Sequence, residues 1–231
     1  MRHVSAVPLV ASDTPDLEAI AEAARTLDGA PAPEIVAWAR DRFGSGAVLA
    51  ASFQDCVMID LVHEVAPDLT IAFVDTGYHF AETLWFVEQV RKRYSLELLV
   101  VSADLPGDDG WLTDPDGCCA VRKVAPLEQA LAGRSAWLSG LRRADGAARA
   151  RTPVVAYDLR RGLVKVNPIA TWSDDDVERY QVERDLPRHP LADRGYASIG
   201  CWPCTRPVTE GDDPRAGRWA GSAKTECGLH L

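Results

Sequence analysis

The sequence has no apolar run long enough to cross a membrane. Its first stretch, MRHVSAVPLV, is broken by Pro8 and is too short for a secretory signal, so a cytoplasmic protein is expected. Positive charge is in deficit: 25 basic against 34 acidic residues give a net charge of -9. That excludes a general nucleic-acid or membrane-surface partner. There is no internal repeat, no long low-complexity run and no G-x-x-x-x-G-K-[ST], so the ordinary phosphate loop is excluded. His3, His63, His79 and His189 show no metal-site spacing and are expected mostly at the surface. What is present is enough apolar residue, 47%, to build a core without disulfide staples.

Residues 13–29 and 31–43 predict two helices, the second with Pro33 in its first turn and Ile35, Trp38, Ala39 and Arg42 at helical spacing. GAVLAAS (46–52), LTIAFVDTG (69–77) and LELLVVSA (96–103) predict buried strands, separated by helices over 55–65 and 79–95. This alternation predicts an α/β fold, a mostly parallel sheet flanked by helices. Further strands are expected at 136–141 and 153–158, with a hairpin arm over 158–168. A helix is expected over 173–185, with Ser173 as N-cap and acids in its first turn. Residues 186–231 predict an irregular segment laid over the domain. One domain is expected over 1–219, with 1–30 as a helical extension and 220–231 as a mobile tail.

Six cysteines are then the unusual feature, since a reducing compartment favours metal binding or chemistry over disulfides. Cys118 and Cys119 are adjacent, and Cys201 and Cys204 form C-x-x-C. C-x-x-C alone fits a redox pair, a zinc half-site or an iron–sulfur half-site. Adjacent side chains on a helix diverge by about 100°. That suits a zinc tetrahedron poorly and the separate irons of a wide [4Fe-4S] cubane better. Lys123, four residues after Cys119, falls on the same helical face, where a cation offsets thiolate charge and can bind an anionic substrate, or it is simply solvated. Pro126 limits the argument, because it kinks or ends such a helix. Cys56 reads as a small core residue.

Ser52 and Phe53 follow the first strand and open a helix, where backbone N–H groups receive anions. Asp75, Thr76 and Gly77 close the second strand, and Ser139, Gly140, Arg142 and Arg143 follow the run at 136. Ligands bind at such strand ends in open α/β sheets, so a nucleotide site is expected. Ser52 and Asp75 as plain helix caps are the alternative. Arginines group around one loop (Arg142, Arg143, Arg149, Arg151) and before the tail (Arg206, Arg215, Arg218), and guanidinium suits phosphate or sulfate. Cys227 stands four residues from Leu231, where a thiol stabilises little. A moving nucleophile is the functional reading of it, with His230 as a candidate assistant.

CC-x-x-x-K (118–123), C-x-x-C-T-R-P (201–207), R-x-x-R-W (215–219) and E-C-G-L-H (226–230) occur in that order. In this combination the chain, from about residue 40 onward, resembles the assimilatory adenylyl-sulfate reductases of iron–sulfur type, within the sulfonucleotide (PAPS) reductase family. The SF loop and VDTG resemble that family's modified pyrophosphate-loop fold, the adenine nucleotide alpha hydrolase-like architecture. The resemblance implies adenosine 5'-phosphosulfate as substrate and reduced thioredoxin as electron donor. It implies one [4Fe-4S] cluster per subunit on Cys118, Cys119, Cys201 and Cys204, structural and electrostatic rather than electron-carrying. It implies that Cys227 attacks the sulfate sulfur, AMP leaves, and thioredoxin frees sulfite from the S-sulfocysteine. The 3'-phosphorylated nucleotide as substrate, an ATP pyrophosphatase-type adenylating enzyme, and an iron–sulfur sensor without turnover are the alternatives. No nucleic-acid or membrane partner is expected, and a homo-oligomer stays open.

Overall fold

The computed structural model of the protein describes residues 16–209, 211–222 and 224–230. His3 and the first residues of the expected helix over 13–29 lie outside them. Helices α1 (Leu17–Thr26) and α2 (Ala32–Phe43) come first. Pro33 lies in the first turn of α2, where its missing N–H costs nothing, and Ile35, Val36 and Ala39 turn inward. Then follow β1 (Ala47–Ala51), α3 (Val57–Val65), β2 (Thr70–Asp75), α4 (Ala81–Tyr94) and β3 (Leu98–Ser102). The second half holds α5 (Gly110–Thr113), α6 (Pro115–Cys119), α7 (Ala125–Leu131), β4 (Ala136–Leu138), β5 (Val155–Asp158), β6 (Leu163–Val166) and α8 (Asp174–Glu183).

The strands form one sheet in the order β3-β2-β1-β4-β6-β5. All neighbours are parallel except β5, which pairs antiparallel with β6 as the expected hairpin. The chain runs outward from β1 to β3, then crosses back to β4 on the other side of β1. The loops leaving β1 and β4 therefore part in opposite directions and open a crevice at the strands' carboxyl ends. Alternate side chains face opposite layers. Leu49, Ile71, Phe73 and Leu138 join the larger core with residues of α1 to α4. Val48, Ala72 and Trp137 face the other way, against Leu127, Ala130 and Leu131 of α7, and Leu229 of the C-terminal segment packs on this second cluster. Among the described residues no helix is long and apolar enough to cross a membrane.

Helix α8 starts as expected: Ser173 Oγ accepts from the Asp176 N–H at 3.1 Å. Buried Asp60 ties it down, accepting from Tyr94 at 2.8 Å, Tyr180 at 2.8 Å and Arg184 at 3.0 Å. This sets Asp174, at the helix start, 2.8 Å from Arg142.

Three expectations change. The run at 136–141 is strand only to Leu138, so residues from Ser139 onward turn into the crevice. Pro126 does not end its helix. It has no N–H for the Arg122 carbonyl, and α6 passes into α7 through a π-helical turn over Ala120–Val124, closed by Ala125 N–H on the Ala120 carbonyl. His189 is not at the surface but 2% exposed. Its Nδ1 accepts from the Leu191 N–H at 3.1 Å, so Nε2 carries the proton toward Thr83 Oγ1 at 3.0 Å. Burial pushes this imidazole down to about 4, and it stays neutral. Cys56 is buried as expected, its thiol 3.6 Å from the Pro187 carbonyl.

Candidate active site

A cavity of about 340 Å³ opens at the crevice. The β1 loop contributes Ser52, Gln54 and Asp55; the end of β2, Thr76; the turn after β4, Ser139, Gly140 and Arg142. Lys123 comes from the π turn, and Arg215, Arg218, Cys227 and His230 close over from the C-terminal segment. Four residues expected at the substrate do not line it. Phe53 points into the core, 1% exposed and edge-on to Phe73 at 5.2 Å. Its backbone is left-handed, φ +55°, and this turn sets Ser52 and Gln54 on the wall. Asp75 accepts the Gly77 N–H at 2.9 Å, so both residues serve the turn while Thr76 alone reaches the cavity. Arg143 turns away to pair with Asp28, and its Nε donates to the Thr152 carbonyl at 2.9 Å.

Two of the cavity cations have spare donors. Arg142 pairs with Asp145 at 2.9 Å and Asp174 at 2.8 Å, but its buried Nη1 has no partner among the described residues. Arg218 lies over the Trp219 ring at 4.7 Å and donates Nη1 to Ser198 at 3.3 Å; its buried Nε likewise has no partner. A buried donor left unpaired costs about 1–3 kcal/mol. Two such donors beside one cavity make a seat for an anion.

The four cysteines expected as ligands come from two segments. Cys118 and Cys119 end α6, and Cys201 opens a short turn, Trp202–Cys204. That turn is fixed by the Trp202 N–H on the Tyr78 carbonyl at 2.8 Å and by Thr205 Oγ1 on the Cys201 carbonyl at 2.8 Å. Thr76 Oγ1 lies 3.3 Å from Cys201 Sγ. All six cysteines are unpaired. Burial, and then charge on the neighbouring sulfurs, push the Cys118 and Cys204 thiols up; burial does the same at Cys119, where Lys123 opposes it. Four thiolates would not gather here without a compensating cation. Among the described residues no group of three or more His, Cys, Asp or Glu is set to hold a single metal ion. The donor set fits a group with several metal atoms better than a lone zinc. For Lys123, burial disfavours the charge, but Cys201, Cys227 and Cys119 outweigh it and hold the amine above its ordinary value.

The tail is docked in this structure. Cys227 is 9% exposed, packed with Cys119 and Trp219. One residue earlier, the Glu226 carboxylate is forked by Arg149 at 2.8 and 2.9 Å and met by Arg215 at 3.2 Å. Three residues later, the His230 ring stacks on Trp137, centroids 5.5 Å apart and 8° from parallel, with Nδ1 3.2 Å from Lys165 Nζ. Burial first, then the charges of Lys165, Arg149, Arg161 and Arg215, push His230 well below its ordinary 6.5. It therefore docks neutral, accepting from Lys165. The His230 contribution to docking is accordingly present above about pH 6.5 and declines as pH falls below it, because the free imidazole binds a proton more readily than the docked one. Hydrogen exchange over the C-terminal peptide, corrected for its intrinsic pH dependence, should speed up from pH 7.5 to 5.5; a flat profile would remove His230 as an anchor.

Residues 47–207 match the phosphoadenosine phosphosulfate reductase domain. The chain is 46% identical over 226 residues to the adenosine 5'-phosphosulfate reductase of Streptomyces coelicolor, covering 94% of this chain and 96% of that one. It is 44% identical over 231 residues to the adenosine 5'-phosphosulfate reductase of Rhodococcus opacus, covering 92% and 94%. The solved phosphoadenylyl-sulfate (PAPS) reductase of Candida auris, a phosphate complex, superposes with a TM-score of 0.76 at 26% identity over 85% of this chain and 100% of that chain. An FMN adenylyltransferase of Candida glabrata shares the fold at a TM-score of 0.60 and 15% identity, over 89% of this chain and 74% of that one.

Proposed function

The chain belongs to the phosphoadenosine phosphosulfate reductase family, and on that premise we propose that it reduces adenosine 5'-phosphosulfate to sulfite and AMP in sulfate assimilation. One observation carries the reading: a nucleophilic sulfur, Cys227, shares a cavity wall with Lys123 and with two arginines whose buried donors have no partner among the described residues. The nucleotide lies between the Ser52 loop and the Ser139–Gly140–Arg142 turn, with the sulfate toward Lys123, Arg218 and Cys227. The Cys227 thiolate attacks the sulfate sulfur. A sulfur–sulfur bond forms, the bond from sulfur to the phosphate oxygen breaks, and AMP leaves with that electron pair. The cations stabilise charge on the sulfuryl oxygens. The two thiols of reduced thioredoxin then supply two electrons, releasing sulfite, restoring the Cys227 thiol and leaving thioredoxin as its disulfide. The tail, residues 220–231, swings out for that second step, as lids do.

Asp55, Asp145 and Asp174 also stand on the wall. Carboxyl oxygens there can accept hydrogen bonds from ribose hydroxyls, which suits the unphosphorylated nucleotide. Cys118, Cys119, Cys201 and Cys204 would hold one [4Fe-4S] cluster per subunit. When bound, it offsets the gathered thiolate charge and ties two chain segments together beside the cavity. Six unpaired cysteines suit the reducing cytoplasm.

The test is peptide mass spectrometry after mixing anaerobic protein with adenosine 5'-phosphosulfate and no thioredoxin. A gain of about 80 Da on the Cys227 peptide is expected, the mark of a covalent route. Binding without any adduct would refute the mechanism.

Gly200 offers a second check. A Cβ built there would run into the Arg218 guanidinium. Gly200→Ala should push Arg218 off its seat and raise KM for the substrate about tenfold, the loss of roughly one charge-assisted hydrogen bond. The melting temperature should hold, since the clash is with the far end of a flexible side chain. An unchanged KM would take Arg218 out of substrate binding.

A further inference from the structure

The arginines around the cavity fall into two sets. Arg142 and Arg218 keep buried donors without a partner among the described residues. Arg149 and Arg215 are engaged by the tail itself: Arg149 spends Nε and Nη2 on Glu226 and Nη1 on Asp145, and Arg215 gives Nη2 to Glu226 and to the Thr225 carbonyl. We infer that Glu226 is a positioning residue: its carboxylate, held by Arg149 and Arg215, pins the tail one residue before Cys227 and so sets the sulfur in the cavity. This reassigns Arg215 from substrate contact to tail holding, and it rests on the proposed chemistry at Cys227.

Further observations support it. The Glu226 side chain is only 12% exposed, and that of Arg149 15%, so the pair is withdrawn from solvent and weakly screened. Burial alone would raise the Glu226 pKa, yet Arg149 and Arg215 hold the carboxyl below its ordinary value. The fork is bidentate, which fixes orientation as well as distance. His230, in its slot on Trp137, holds the chain on the far side of Cys227. Between the two anchors Gly228 takes φ +81°, a left-handed turn that a side chain would strain. The sulfur is thus fixed from both sides, and each anchor is geometric rather than chemical.

The test uses the full, cluster-loaded chain and the variant Glu226→Gln, which keeps the volume and loses the charge. Without substrate, iodoacetamide labelling of the Cys227 peptide should run about tenfold faster, because a buried ion pair that held the tail has lost its charge. With substrate and thioredoxin, kcat should fall at least about tenfold while KM stays put, since no group on the nucleotide has changed. Glu226→Asp, which keeps the charge, should recover much of both. Equal labelling and equal kcat in wild type and Glu226→Gln overturn the inference. Faster labelling with kcat intact overturns it too, as does a raised KM alone, which would put Glu226 in substrate binding. If the wild type makes no sulfite, the reductase reading fails, while the labelling contrast still decides whether Glu226 holds the tail.

Discussion

Cys227→Ser should end sulfite formation, by at least about 10³-fold, while adenosine 5'-phosphosulfate still binds. Serine keeps nearly the volume of cysteine, and Cys227 packs with Cys119 and Trp219. The groups expected to grip the nucleotide, Ser52, Arg142 and Arg218, lie on other segments or earlier in the chain. The variant should therefore titrate with substrate in a calorimeter much as the wild type does and keep its iron. It should also show no adduct by mass spectrometry. Residual sulfite above about a tenth of the wild-type rate would mean that another group attacks the sulfate.

Lys123→Ala carries the second largest effect. The amine lines the cavity among Cys119, Cys201 and Cys227. Removing it should lower kcat by about 10²–10³-fold, as for other preorganised donors at developing charge. Lys123→Arg should rescue poorly, because guanidinium is wider and flatter than ammonium. Iron content separates the two parts the lysine can play. If iron is kept and kcat falls, Lys123 acts on the transferred group. If iron is lost with kcat, its charge serves the thiolates instead.

The parallel strands β1, β2 and β3 were legible because strands covered on both faces are short continuous apolar runs. Their order was not, since nothing in the local pattern tells the chain to cross back past β1. Neighbouring polar residues were harder still. Asp75 and Thr76 differ only in which way their side chains leave the end of β2, and only Thr76 meets the cavity. Arg142 and Arg143 are adjacent, yet one faces Asp174 across the crevice and the other Asp28 outside it. The cysteine motifs were visible because their types and spacing are rare. Arg149 was visible only as one of a basic group. Its partner Glu226 lies 77 residues away, a pairing no local pattern encodes. Lys165 and Trp137 gave a weaker signal. Each sits mid-strand between residues that face the larger core, so alternation turns both to the opposite layer, where His230 arrives.

Leu229 packs on the same apolar cluster as Val48, Ala72 and Trp137, while Glu226, three residues earlier, is held by charge. These contacts answer to different variables of the surroundings. Apolar burial carries a negative heat-capacity change and weakens on cooling. An ion pair is indifferent to that and yields, slowly where it is buried, to ionic strength. Chilling should therefore loosen the Leu229 side of this short segment first, while the Glu226 side, withdrawn from solvent, holds, so the tail reads temperature on one side of its sulfur and not on the other.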